Sequence, residues 1–326
     1  MSLLKVDDLV VHFGQGADSV QALHGVSLEI DHGEIVGLVG ESGSGKTVTS
    51  LALMGLLDPR NARVDGKASF DGSSLWNEKG RRPSGQTPQL AMIFQEPMTA
   101  LDPVFSIGHQ LSATLRLRQQ MAKHQAAEEA VRLLDQVGIP DPQARMRSYP
   151  HEMSGGMRQR VVIAIALACA PKLLIADEPT TAVDVTIQAQ LLELIKGLAR
   201  ERGMAVLFVT HDLGVVSETC DRMVTMYAGR VVEQGPVREV LAVPAHPYTA
   251  GLLAALPSAD SRGKRLPTIP GRVPPPGEEI AGCVFAERCS HAESVCGEPQ
   301  TLRSYLDSRR HVRCVRAQEL ELAGAR

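Results

Sequence analysis

Eight consecutive residues near the amino terminus, Gly40, Glu41, Ser42, Gly43, Ser44, Gly45, Lys46 and Thr47, combine glycines, hydroxyls and a lysine at a spacing suited to holding phosphate. They match G-x-x-x-x-G-K-[ST], between an apolar run and a helical pattern, which is the setting that gives this string a mechanism. Glycines let the backbone curl so that successive amide N–H groups converge on phosphate oxygens, and the helix N-terminus adds its positive end. Lys46 offers a point charge to β and γ phosphates, and the Thr47 hydroxyl offers a ligand to Mg²⁺. A second string, Leu173-Leu-Ile-Ala-Asp177-Glu178, reads as an apolar strand ending in two carboxylates. Such a strand brings Asp177 to the carboxyl edge of a sheet, where it suits Mg²⁺, while Glu178 can accept a proton from an attacking water. A third, Ser154-Gly155-Gly156-Met157, precedes a long helical segment and presents a hydroxyl and amides at its positive end. One triphosphate has no evident need of two such sites in a single chain, and the surplus suggests that two chains share each nucleotide.

The elements that must position these groups follow from the hydrophobic pattern. Residues 6–13 and 26–30 read as half-buried strands, and 34–39 as a more buried strand running into the glycines. A helix is expected from Lys46 to about residue 57. The runs 90–95, 173–177 and 205–210 are apolar and bounded by polar residues, as in strands covered on both faces. Between residues 96 and 170 the pattern is helical, clearest over 126–137 and 157–170, which predicts a helical subdomain inserted into an α/β domain with a mostly parallel core sheet. Residues 186–200 place Ile187, Leu191, Leu194, Ile195 and Leu198 along one helix face. After Gly235, Pro257, Pro267, Pro270 and the 274–276 prolines predict an extended connection and then a separate appendage.

Composition narrows the function classes. The 326 residues suffice for about two domains with a sizeable core. Thirty-four basic against thirty-seven acidic side chains give a net charge of −3, and only 3% of residues are aromatic, so neither a general cationic field nor stacking platforms favour nucleic acid. The first residues lack the pattern of a secretory signal, and the longest apolar run, 161–170, is far short of a membrane span, which leads us to expect a cytoplasmic chain. Four of the six cysteines, Cys283, Cys289, Cys296 and Cys314, fall in the last stretch. Their spacing includes no Cys-x-x-Cys pair, so zinc is not the automatic ligand; an iron–sulfur cluster, zinc and free thiols are all open, with the cluster as the leading expectation. Cys169 and Cys220 read as small buried core residues.

Taken in order, residues 40–47, Gln95, 153–157, 173–178, 181–184 and His211 resemble the motif set of ABC-type ATPases, and the resemblance covers nearly the whole chain. It implies a P-loop NTPase of ABC type over residues 1–235, with an N-terminal antiparallel sheet, a mostly parallel core sheet and a helical subdomain near 96–170. It further implies ATP and Mg²⁺ at a dimer interface, between one subunit's phosphate loop and a partner's Ser154, Gly155 and Gly156. By resemblance Gln95 contacts Mg²⁺ and the attacking water, His211 contacts the γ-phosphate, Asp184 links the two sites, and Phe13 stacks on adenine. The signature reads MSGGM where the broader family has LSGGQ. Within residues 236–326, His246-Pro-Tyr-Thr249, Ile269-Pro-Gly271, 274–276 and the stretch from Gly282-Cys283 to Arg313-Cys314 look like the extension of dipeptide and oligopeptide importer ATPases. That resemblance implies a peripheral subunit on the cytoplasmic face of the membrane, bound to two permease subunits and a second ATPase, with an external binding protein delivering the cargo. Related importers of nickel or glutathione, and soluble ABC ATPases acting on nucleic acid or ribosomes, are the alternatives.

Overall fold

The computed structural model describes residues 2–16, 19–77, 80–83, 87–95, 100–180, 184–256, 267–278 and 280–324. The motif residues 96–97 and 181–183 lie outside them. Strands follow in the order β1 (Ser2–Phe13), β2 (Val20–Asp31), β3 (Ile35–Val39), β4 (Ala62–Phe70), β5 (Ser73–Ser74), β6 (Leu90–Ile93), β7 (Leu173–Asp177), β8 (Ala205–Thr210), β9 (Arg222–Tyr227), β10 (Arg230–Pro236), β11 (Arg303–Tyr305) and β12 (Asp307–Val312). The chain forms two compact units, one of Met1–Asp31, Ile35–Gln86 and Val209–Arg326, the other of His32–Glu34 and Thr87–Phe208.

The first unit contains an antiparallel sheet in the order β2-β1-β4-β5. Alternation buries Leu4, Val6, Leu9 and Val11 of β1, but Asp7 and Asp8 interrupt the period. The register shifts between Val6 and Leu9, and Asp8 takes a left-handed backbone with φ +50°. This bulge absorbs one residue and returns Leu9 to the buried face. A Cβ on Gly66 of β4 would lie 2.3 Å from the Asp8 carbonyl oxygen, so the neighbouring strand meets the bulge with a residue that has none.

The same unit pairs β3 parallel with β9, then β9 antiparallel with β10, β10 with β12 and β12 with β11. The C-terminal region expected as an appendage thus supplies two strands to this sheet. A buried ion pair fixes the join: Arg310 of β12 donates to Glu233 of β10 at 3.1 Å, their side chains 4% and 1% exposed. The Glu233 carboxylate also accepts the amide N–H groups of Ala245 (2.8 Å) and His246 (3.0 Å), and Arg310 donates to the Val243 carbonyl (2.7 Å). Burial pushes the Glu233 carboxyl above the usual range, while these donors and Thr249 hold it down.

In the second unit β6 runs parallel to β7, with β8 on the far side of β7. The helices Ile107–Gln119, Lys123–Gln136 and Gly155–Ala168 pack together, and Val185–Arg202 follows β7. Ser106, Ser154 and Asp184 cap their helices by accepting the N–H of the third residue on. Boundaries differ from expectation for local reasons. The Lys46–Met54 helix stops at Gly55, whose left-handed φ of +68° lets its N–H and that of Leu56 bond back to Ala52 and Leu51. On Val185–Arg202, Leu191, Leu192, Ile195 and Leu198 are buried, whereas Ile187 and Leu194 are only partly so. Cys169 and Cys220 are half-buried rather than core residues.

Replacing Arg310 with Met leaves the Glu233 carboxylate buried without its counter-charge. The expected cost is about 3 to 5 kcal/mol, read as a lowered unfolding midpoint in denaturant. An unchanged midpoint would show that the pair does not hold the edge strands.

Candidate nucleotide-binding site

The loop from Gly40 to Thr47 leaves β3 and enters the Lys46–Met54 helix, as its sequence predicts. Two glycines are dictated by close approach: a Cβ on Gly40 would lie 2.3 Å from the Met226 carbonyl oxygen, and one on Gly45, at φ +100°, 2.6 Å from the Leu23 side chain. The Ser44 N–H donates to the Glu41 carbonyl (3.2 Å), and the Gly229 N–H donates to the Ser44 carbonyl (3.0 Å). Within this curl Lys46 is buried, its Nζ donating to the carbonyls of Gly40 (2.7 Å) and Glu41 (3.0 Å). The Ser44 hydroxyl oxygen is buried with no hydrogen-bond partner, whereas Ser42, Gly43 and Thr47 are exposed. A buried cation, an orphaned hydroxyl and exposed glycine and hydroxyl groups on one turn are a donor set for triphosphate and its Mg²⁺. Phe13 ends β1 half-buried, opposite Val20 and Ala62. His211 is exposed after β8, and Asp212 caps the next helix by accepting from Gly214 (2.8 Å) and Val215 (3.3 Å).

In the second unit Asp177 ends β7, 3% exposed, and Glu178 follows in a left-handed backbone with φ +45°. Such a backbone is costly for a residue with a side chain and persists only where its surroundings hold it. The Gln95 amide donates to the Glu178 carboxylate at 3.0 Å, and the buried Gln159 amide donates to the Pro179 carbonyl at 2.6 Å. Gln95 and Glu178 are therefore brought together, 83 positions apart in sequence. Ser154 and Gly155 are exposed, and a Cβ on Gly155 would meet nothing within 4 Å. Met153, the departure at the first signature position, is buried and anchors the turn before the helix. Gly156 faces Ile187, 3.2 Å from its ideal Cβ position.

The C-terminal extension reaches the phosphate loop within the first unit, which sequence reasoning missed. The Glu41 N–H donates to the Tyr248 hydroxyl at 2.8 Å, and Arg288 donates through both terminal nitrogens to the Glu41 carboxylate at 2.7 and 3.1 Å. Tyr227, Tyr248 and Phe285 form a ring cluster below, with centroids 4.7 to 5.4 Å apart. The only signals were the Pro247-Tyr248-Thr249 string and Arg288 itself, both remote from Glu41 in sequence. Cys283, Cys289, Cys296 and Cys314 all line one cavity of about 10 Å³ beside this cluster. All are free thiols; burial raises Cys283, Cys289 and, to about 11, Cys314. Among the described residues no three His, Cys, Asp or Glu side chains stand as a group able to hold a metal ion, so this geometry does not support the expected cluster; the four thiols share a cavity and no more.

The ABC transporter family profile matches residues 23–181, and that of the oligopeptide/dipeptide transporter C-terminal region matches 232–296. The probable peptide ABC transporter ATP-binding protein y4tR of Sinorhizobium fredii is 48% identical over 322 residues, 98% of this chain and 96% of its own. The oligopeptide transport ATP-binding protein OppD of Salmonella typhimurium is 48% identical over 308 residues, 94% of this chain and 92% of its own. The chain belongs to the ATP-binding subunits of peptide ABC transporters. It is an ATPase cassette. A solved dimer of the cassette MJ0796 bound to ADP and Pi superposes with a TM-score of 0.61 at 27% identity, covering 72% of this chain and 99% of that one. Among the described residues no helix of this cassette is long and apolar enough to cross a membrane.

His246 of the cassette caps the Pro247–Ala254 helix: its Nδ1 accepts the Tyr248 N–H at 3.1 Å. Burial, then the charge of Arg313, lowers its pKa to about 3 from the ordinary 6.5. The unfolded chain takes up this proton below about 6.5 and the folded one does not, so the contribution to stability is complete above that pH and is lost as pH falls toward 3. A His246→Asn variant keeps an acceptor without the titration. Its melting temperature should fall less than that of the native chain between pH 7 and pH 4.5; an equal fall would remove His246 from the acid response.

Proposed function

We propose that the chain is the energy-coupling subunit of a peptide importer. Each ATP is held by the residue 40–47 loop of one subunit and by Ser154, Gly155 and Gly156 of a second ATPase, a copy or a relative. What carries this reading is that a single chain joins the phosphate loop and its buried lysine to an oligopeptide/dipeptide-type C-terminal region. Lys46, Ser44 and the loop amides bind the phosphates, and Phe13 is the candidate for the adenine. Thr47, Gln95 and Asp177 would hold Mg²⁺, which when bound neutralises phosphate charge. Glu178 accepts a proton from the attacking water, positioned by Gln95, and His211 contacts the γ-phosphate. Exposed Val104, Phe105 and Tyr149 in the second unit support docking of permease subunits, since the Ile107 N–H bond to the Ser148 carbonyl draws these segments together. In this reading the chain is peripheral, at the cytoplasmic face, and two permeases and an external binding protein complete the assembly. Residues 1–235 would act as the cassette and 236–326 as its extension.

Glu178→Gln should leave ATP affinity intact and cut turnover by about 10²-fold or more in steady-state assays; normal turnover would remove Glu178 from its role. In proteoliposomes containing the permeases, short peptides offered through the binding protein should stimulate ATP hydrolysis. Stimulation by nickel or glutathione instead would select the related importers.

The cavity shared by Cys283, Cys289, Cys296 and Cys314 motivates a four-cysteine [4Fe–4S] cluster, or zinc, that would draw the thiols to ligating distance and brace the extension. Anaerobically purified protein should then carry iron and acid-labile sulfide in near-equal amounts, which Cys296→Ser should abolish. Protein containing neither, nor zinc, would leave the four as free thiols.

A further inference from the structure

Arg288 lies one residue before Cys289, in the extension, 247 positions from Glu41. Its side chain is 6% exposed and its donors are fully engaged: Nε on the Pro270 carbonyl (2.7 Å), Nη1 on Glu41 (2.7 Å) and the Tyr227 hydroxyl (3.3 Å), Nη2 on Glu41 (3.1 Å) and the Ile269 carbonyl (3.4 Å). The guanidinium carbon also stands 5.6 and 5.9 Å from the Tyr227 and Phe285 ring centroids. A fork held at this many points is pre-organised for a carboxylate.

Glu41 itself is an anomaly in a loop built for anions. A carboxylate about 10 Å from a bound phosphate, at an effective dielectric of about 20, weakens binding roughly tenfold if nothing offsets it. Arg288 is the offset, and the Tyr248 hydroxyl fixes the backbone of the same residue. Pro274, Pro275, Pro276 and Gly277 of the extension line a small cavity together with Gly43 of the loop.

We propose that Arg288 is a positioning residue for ATP binding: the extension supplies the counter-charge that silences Glu41, so the cassette's affinity for ATP is set by a segment outside the phosphate loop. This rests on residues 40–47 being the ATP loop.

The test is equilibrium binding of Mg-ATP to the full chain, with KM and kcat measured alongside. Arg288→Met should raise Kd and KM about tenfold, with a much smaller change in kcat, while Glu41→Gln, which leaves the guanidinium unopposed, should lower Kd by a similar factor. The double variant E41Q/R288M should recover to within about threefold, because it removes the repelling charge together with its partner. A purely structural brace would leave the double variant as weak as R288M; that result, or native affinity in R288M, overturns the proposal. Should R288M not fold, R288Q and E41Q/R288Q carry the same comparison, since an amide removes the charge but keeps hydrogen-bond donors. Lys46→Ala separates the two readings: native ATP affinity in K46A would fault the assignment of the loop, whereas loss in K46A with native affinity in R288M faults only the role of Arg288.

Discussion

A lysine ammonium withdrawn from water must find acceptors, and Lys46 finds them in the carbonyls of Gly40 and Glu41. That requirement shapes the first unit. Those carbonyls turn inward only if the chain curls back over its own helix start. The curl brings the backbone against Met226 and Leu23, and only glycine fits there. The exposed Ser42, Gly43 and Thr47 stand at the mouth of the turn, where the helix dipole adds its positive end. Loop, helix start and the β9–β10 connection at Gly229 form one cooperative arrangement, in which moving any part exposes a buried charge.

A different kind of constraint governs the second unit. Glu178 sits in a backbone region unfavourable to it, and two glutamines hold it there: Gln95 on its carboxylate, Gln159 on the next carbonyl. Strain at this position gives the Glu178 side chain a defined aim, because the turn cannot relax without breaking one of these contacts. Gln159 lies on the helix that Ser154 caps, so the signature turn and the Glu178 turn share one rigid support.

Local chemistry explains what was legible in the sequence. The phosphate loop, β7, β8 and the helix starting after Ser154 follow from short strings in which each residue acts on its near neighbours. Strand ends and helix stops were less clear, because Gly55 and the Asp8 bulge act through one backbone angle each. Contacts across long sequence distances left no periodic trace: Arg288 with Glu41, Arg310 with Glu233 and the gathering of four thiols depend on how the C-terminal strands fold back. The family resemblance flagged the strings involved; only the tertiary structure gives them partners.

The pairing of β12 on β10 has a consequence for how such cassettes can be shortened, fused or recombined. A chain cut after Pro236 would present Glu233 and Gln234 as a bare strand edge, a template for intermolecular association. It would also strand a carboxylate whose guanidinium lies in the discarded segment. The extension is the selvedge of the sheet, woven into its last threads, and a chimera that exchanges it must carry β10 with it.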